Sequence, residues 1–191
     1  MNTTEIERLI RALLTTFGED TAREGLQATP TRVANTYEKL LEGYRRSFSE
    51  ELTTFDNVHG YTDLITSGRI DFVSLCEHHL LPFYGHAHIA YVPDEKIIGL
   101  SKLARLVDIY SRRLQDQERI TVQIADELMA SLQPRGVCVL MTARHMCNIA
   151  RGVEKQSSYM MTVTYRGICR EDYRLQQQFL DFVKISRDVA D

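Results

Sequence analysis

Three side chains able to bind a metal stand out in the chain: Cys76 and His79 in Cys76-Glu77-His78-His79, and Cys147 in His145-Met146-Cys147. Two thiolates and one imidazole fill three of zinc's four tetrahedral positions, and three protein ligands with one open position mark catalytic rather than structural zinc. Each group carries a further histidine, His78 and His145, so the metal would be accompanied by two groups that titrate near neutrality. If residues 77–79 are extended, His78 and His79 point to opposite sides and one can ligate while the other faces elsewhere. On the same assumption His145 and Cys147 share a side, about 6.6 Å apart along the backbone. A Cys-x-x-His pair alone is often incidental, and spacing alone does not bring the two groups together.

The elements that must position these residues can be read from periodicity. Ile6, Leu9, Ile10, Leu13, Leu14 and Phe17 form a helical stripe with a Thr4-x-x-Glu7 capping box and Gly18 past its end. Thr29-Pro30 opens a second helix that runs to Gly43. Short β-like runs follow at 70–76 and 86–92. Ser101 reads as the cap of a third helix, and a fourth spans 116–132 before Pro134 and Gly136. Two more strands, 137–142 and 159–168, precede a terminal helix over 171–186. This order predicts an α+β fold, a four-stranded antiparallel sheet with a helix pair packed on one face, plus an N-terminal helical segment. We expect the segment to cover 1–60 and the catalytic domain 61–191. The sheet's two open edges predict pairing between subunits.

Composition narrows the class. With 191 residues and 43% hydrophobic content the chain can bury one sizeable core. No apolar run approaches the roughly 20 residues that span a bilayer, and the N-terminus does not read as a signal peptide, so the expectation is cytoplasmic with no membrane partner. A net charge of −3 leaves no electrostatic footprint for nucleic acid. Of four cysteines, Cys138 reads as core and Cys169 has no role, while a reducing compartment leaves thiolates for metal. His86 and His88 alternate on a strand and read as polar-face residues.

Taken together, Ser74-Leu-Cys-Glu-His-His-Leu-Leu-Pro82, Gly99-Leu-Ser-Lys-Leu-Ala-Arg105, Gln117-Glu-Arg119, His145-Met-Cys147 and Arg151-Gly-Val153 resemble GTP cyclohydrolase I. Glu19-Asp20, Arg23-Glu-Gly-Leu26, Thr29-Pro30 and Arg32-Val33 are similar to that family's N-terminal region, so the likeness runs from about Phe17 to Phe182. The resemblance implies the tunnelling fold and conversion of GTP and water to 7,8-dihydroneopterin triphosphate and formate, the entry step to folate and related pterins. It also implies a homo-oligomer, a decamer of two stacked pentameric rings with active sites at subunit interfaces.

By the same resemblance Cys76, His79 and Cys147 hold one Zn2+ per subunit. Guanine C8 is an unreactive ring carbon, so the attacking water must be ionised, which zinc does near pH 7. His145 would donate a proton to N7 as the ring opens, and His78 with Ser101 would serve the later ribose rearrangement. Glu118 matches the residue that accepts from guanine N1–H and the exocyclic amine, with Gln117 as a second contact. Without the resemblance the run 117–119 would read as a solvated helix start. Ser101, Lys102 and Arg105, within the first turns of a helix where backbone N–H groups favour anions, would bind triphosphate together with Arg151.

Zinc deaminases use a similar ligand set but require Pro-Cys-x-x-Cys, which is absent here. Two alternatives stay open: an enzyme that opens the ring and releases a formylated pyrimidine, and a purine-nucleotide-binding paralogue on a structural zinc. The chain departs from the family pattern at Gly68-Arg69-Ile70, at Asn148-Ile149-Ala150 and over Glu154–Met161. None of these touches a proposed ligand or acid/base group.

Overall fold

A computed structural model of the chain describes residues 1–188. Internal packing divides the chain into two units, Met1–Glu42 and a larger one from Gly43 onward. The first contains α1 (Thr3–Thr16), α2 (Glu24–Gln27) and α3 (Thr29–Leu40), with α1 packed on α3. The cap of α1 is Asn2, whose Oδ1 accepts from Glu5 N at 3.1 Å, so the expected Thr4 cap lies inside the helix instead. Pro30 sits in the first turn of α3, where its missing N–H leaves no bond unmade.

In the second unit, α4 (Phe48–Glu51) and β1 (Thr54–Asp56) precede the two long strands β2 (Ile65–Cys76) and β3 (Pro82–Val92). Next come β4 (Lys96–Ile98), α5 (Leu100–Ser111), β5 (Leu114–Gln115), α6 (Gln117–Leu132), β6 (Gly136–His145), α7 (Met146–Ile149), β7 (Met160–Gly167), α8 (Ile168–Glu171) and α9 (Tyr173–Asp188). β2, β3, β6 and β7 form the expected antiparallel meander. The expected four strands gain a fifth: β5 pairs in parallel with the end of β2, Leu75 opposite Leu114 and Cys76 opposite Gln115. β2 and β3 are longer than the runs that announced them: β2 extends back through half-buried residues 65–69, and β3 begins at Pro82 and takes in the fully buried Phe83.

Alternation sorts the sheet's faces. Phe83, Ala87, Ile89 and Tyr91 of β3 and Val137, Val139, Met141 and Ala143 of β6 point into the main core against Leu103, Leu106 and Val107 of α5 and Ile120, Ile124 and Leu128 of α6. The opposite face is partly covered as well, contrary to the one-sided expectation: Ala90, Val92, Cys138 and Leu140 pack with Cys169, Phe179 and Val183 of α8 and α9. Asp172, extended at φ −96 and ψ 103, separates α8 from α9; α9 is the expected terminal helix, and α8 is a short helical turn between it and the expected strand 159–168.

Two local features explain departures in the sequence. The pairing of β2 with β3 slips between Ser67 and Ile70, and Arg69 adopts φ 54, so Gly68-Arg69 is a β-bulge. A Cβ on Gly68 would lie 2.5 Å from His88 Nδ1, and His88, expected on a polar face, is 4% exposed beneath the bulge. Ser101 does not cap α5. The cap is Gly99, whose N–H is bonded to Thr53 O at 3.0 Å, and Ser101 is the second residue of the helix.

Candidate functional site

β2 and β6 end side by side with β3 between them, Phe83 facing Ser74 on one side and His145 on the other. The two metal-binding groups therefore leave the same end of the sheet. Residues 76–80 are not extended, as the sequence reading assumed: Leu80 N donates to Cys76 O at 2.8 Å and Leu80 takes φ 54, so the segment is a tight turn. The turn folds both imidazoles back, and His78 Nδ1 and His79 Nδ1 each lie 3.7 Å from Cys76 Sγ. Past β6 the backbone likewise turns helical at Met146, which places Cys147 in the first turn of α7 rather than on an extension of the strand.

One ligand atom each from Cys76, His79 and Cys147 falls within 4.8 Å of the others. Bonds of about 2.0–2.3 Å to one tetrahedral ion put ligand atoms roughly 3.3–3.8 Å apart, so the group fits zinc after a small contraction. The donor chemistry agrees. Burial raises the Cys147 thiol, and the neighbouring Cys76 raises it further. His78 stands beside this group with its side chain 65% exposed.

His145 is half-buried. Its ring lies flat on Phe83, with centroids 4.6 Å apart and planes 4° apart, and its Nε2 is 2.9 Å from Gln117 Oε1. Gln117 is fully buried, and its amide nitrogen faces Met141 O at 3.0 Å, Thr162 Oγ1 at 3.1 Å and Met160 O at 3.2 Å. Because the nitrogen must donate to these carbonyls, the amide oxygen faces His145, and Nε2 of His145 is the protonated nitrogen. Desolvation pulls the His145 pKa below its ordinary value, with the charge on Glu118 pulling the other way. Glu118 is the exposed neighbour of Gln117 at the start of α6, which Asp116 caps by accepting from Arg119 N at 2.7 Å.

Arg151 Nη1 lies 2.8 Å from His79 Nε2, so this expected phosphate ligand stands at the metal group. Ser101, Lys102 and Arg105 are elsewhere, on α5. Among the described residues no hydrogen bond or ion pair joins them to the metal group, and Arg105 instead donates to Glu51 at 3.2 Å. Arg46 takes the same carboxylate bidentately at 2.7 and 2.8 Å and, with Arg105, holds the Glu51 pKa down at about 2.

A cavity of about 230 Å³ opens beside the site, lined by His145, Cys147, Asn148, Ser158, Tyr159 and Met160. Its wall is the divergent stretch, tied down by Asn148 Nδ2 to Ser158 Oγ at 3.2 Å and Gln156 Nε2 to Ile149 O at 3.2 Å. The sequence assigned no role to Phe83, although it follows the metal motif directly. Nor did it assign any to Glu77 and Arg119, which form an ion pair from the metal turn to α6.

A model of the GTP cyclohydrolase I family matches residues 6–184. The chain is 47% identical to the GTP cyclohydrolase 1 of Allorhizobium ampelinum over 181 residues, covering 94% of this chain and 90% of that protein. It is 48% identical to the GTP cyclohydrolase 1 of Brucella canis over 181 residues, covering 94% of this chain and 85% of that protein. Among solved structures, the apo archaeosine synthase QueF-Like aligns with 55% of this chain and 93% of its own, at a TM-score of 0.44 and 17% identity.

Proposed function

The chain belongs to the GTP cyclohydrolase I family, and from that membership we infer that it converts GTP and water to 7,8-dihydroneopterin triphosphate and formate. Its α+β architecture is the tunnelling fold of that family. The observation that carries the reading within this chain is the convergence of Cys76, His79 and Cys147 with two imidazoles left over.

Cys76, His79 and Cys147 would hold zinc, and the chemistry it would supply there is Lewis acidity that brings the pKa of water toward neutral. Guanine is selected by Glu118, whose carboxylate accepts from N1–H and the exocyclic amine, whereas adenine presents an acceptor at N1. Gln117 contributes from behind: it holds Nε2–H of His145, which leaves Nδ1 as the atom that exchanges a proton with purine N7. Glu118 favours the protonated form needed for donation, while burial lets the imidazole return to neutral afterwards. Arg151, whose Nη1 lies 2.8 Å from His79 Nε2, would bind phosphate beside the metal group. His78, solvent-facing, serves the ribose rearrangement with Ser101.

Two observations support a site completed by a second subunit. Among the described residues the α5 group of Ser101, Lys102 and Arg105 makes no bond to the metal group within one chain, and the 230 Å³ cavity is smaller than the roughly 300 Å³ at which small-molecule sites begin. A decamer of two stacked pentamers is the arrangement the family resemblance supplies. The test is to incubate zinc-loaded protein with GTP and identify products. Formate with a pterin that fluoresces after oxidation is expected. A formylated pyrimidine as end product would leave only the ring-opening step, and absence of formate at full zinc loading would sink the reading.

A further inference from the structure

We propose that Glu77 and Arg119 are a positioning pair that clamps the metal turn, residues 76–80, to the first turn of α6, so that the metal ligands and Glu118 keep one separation. This rests on Cys76, His79 and Cys147 being the metal set. Glu77 lies between two of those ligands in sequence, and its carboxylate accepts from Arg119 Nη2. Its backbone N–H donates to Gln115 O at 3.1 Å, extending the parallel pairing of Cys76 with Gln115 by one bond. Two residues of parallel ladder are a weak tether on their own.

The guanidinium is oriented before it meets Glu77. Arg119 Nε donates to Gln115 Oε1 at 2.6 Å, and Nη2 donates to Leu114 O at 3.2 Å. Gln115 is itself 2% exposed, with its amide nitrogen bonded to Tyr110 O at 2.9 Å and Gln123 Oε1 at 2.8 Å. An ordinary surface ion pair contributes little because two long side chains must be ordered to make it. Here the arginine is already ordered by Gln115 and Leu114, with Asp116 Oδ2 3.6 Å from its Nη1, and only the shorter glutamate has freedom to lose. The other Glu77 oxygen is 4.0 Å from His78 Nε2, so the clamp also reaches the exposed imidazole. Neither residue is in the metal-ligand group, and Arg119 follows Glu118 directly and Gln117 by two positions. Their effect on the reaction therefore passes through geometry.

The experiment measures zinc affinity by competition with a chromogenic chelator in the full chain and in Glu77→Gln, Arg119→Gln, Arg119→Lys and the double variant Glu77→Gln/Arg119→Gln. Each single variant should bind zinc about tenfold more weakly, the range seen when residues that orient metal ligands are removed. The double variant should be no weaker than the worse single one. Arg119→Lys should not recover, since an ammonium cannot span Gln115, Leu114 and Glu77 together. Arg166→Gln, which breaks the distant ion pair with Asp126, serves as the control and should leave affinity unchanged. Should Arg119→Gln fail to fold, the near-isosteric Glu77→Gln decides. Affinities within about twofold of the parent in Glu77→Gln, or losses that multiply in the double variant, overturn the proposal. Zinc is read without GTP turnover, so a catalytically silent parent that binds zinc refutes the proposed function and not the clamp. A parent that binds no zinc refutes both.

Discussion

Replacing Gln117 by methionine, close to it in size, separates two roles that the residue could have. The side chain is fully buried, so the change strands partners rather than exposing them to water. Thr162 Oγ1 keeps its bond to Thr121 Oγ1 at 2.6 Å, which leaves His145 Nε2–H, Met141 O and the part-buried Met160 O as the groups that lose a partner. At about 1–3 kcal/mol for each buried group left unsatisfied, and with His145 only half-buried, the expected loss is about 2–4 kcal/mol in urea unfolding. Activity should fall through kcat. A positioned acid/base group contributes about 10²–10⁴-fold, and stacking on Phe83 keeps the imidazole partly in place, so we expect a drop of about 10–10²-fold. KM for GTP should stay within about threefold, because the carboxamide is taken up by His145, Met141 O, Met160 O and Thr162 Oγ1. A rise in KM with unchanged kcat would show that Gln117 touches guanine directly. A stability change below about 0.5 kcal/mol would mean the buried network is not as described.

Glu51→Gln should destabilise the protein by about 1–2 kcal/mol at pH 7, the shift from 4.5 to about 2 discounted for its surface position. The pKa is depressed in the folded state, so this stability is fully present above pH 4.5 and is lost as pH falls through about 2; a gap from wild type that does not narrow between pH 5 and pH 2.5 contradicts it. Gly85→Ala should cost more than about 4 kcal/mol, since its Cβ would lie 1.9 Å from Thr142 O and 2.8 Å from Ala143 Cα, both backbone. A melting-temperature shift under about 3 °C would refute that packing. Cys147→Ala removes one of the three proposed metal ligands and should weaken zinc binding at least about 100-fold by chelator competition; unchanged affinity would remove Cys147 from the set.

Much of the frame was legible because helices α1, α3, α5, α6 and α9 carry apolar stripes of the right period and the strands alternate. What escaped was set by tertiary contacts. β5 is two residues long and exists only because β2 lies beside it. The metal turn defeated the extended-chain argument because Leu80 takes a left-handed conformation that its side chain does not advertise. In the site, ligand types and motif order were enough to pick out Cys76, His79 and Cys147. The depth of Gln117 was not visible, since a glutamine at a helix start usually faces water, and here Met141 O lies beneath it. The pairing of Arg105 with Glu51 spans 54 positions and leaves no local pattern.

Phe83 faces His145 across the β3–β6 ladder and also supplies the surface on which the imidazole rests. The register of two strands and the seat of the proposed proton-transfer group are therefore the same fact. Lengthening β3 by one residue would present the opposite side of the strand beneath His145 and turn core side chains such as Ile89 and Tyr91 outward. Length variation in homologues and in engineered libraries should accordingly be confined to connections such as 57–64 and 150–159. Residues 82–92 and 136–145 should accept substitutions but neither insertions nor deletions.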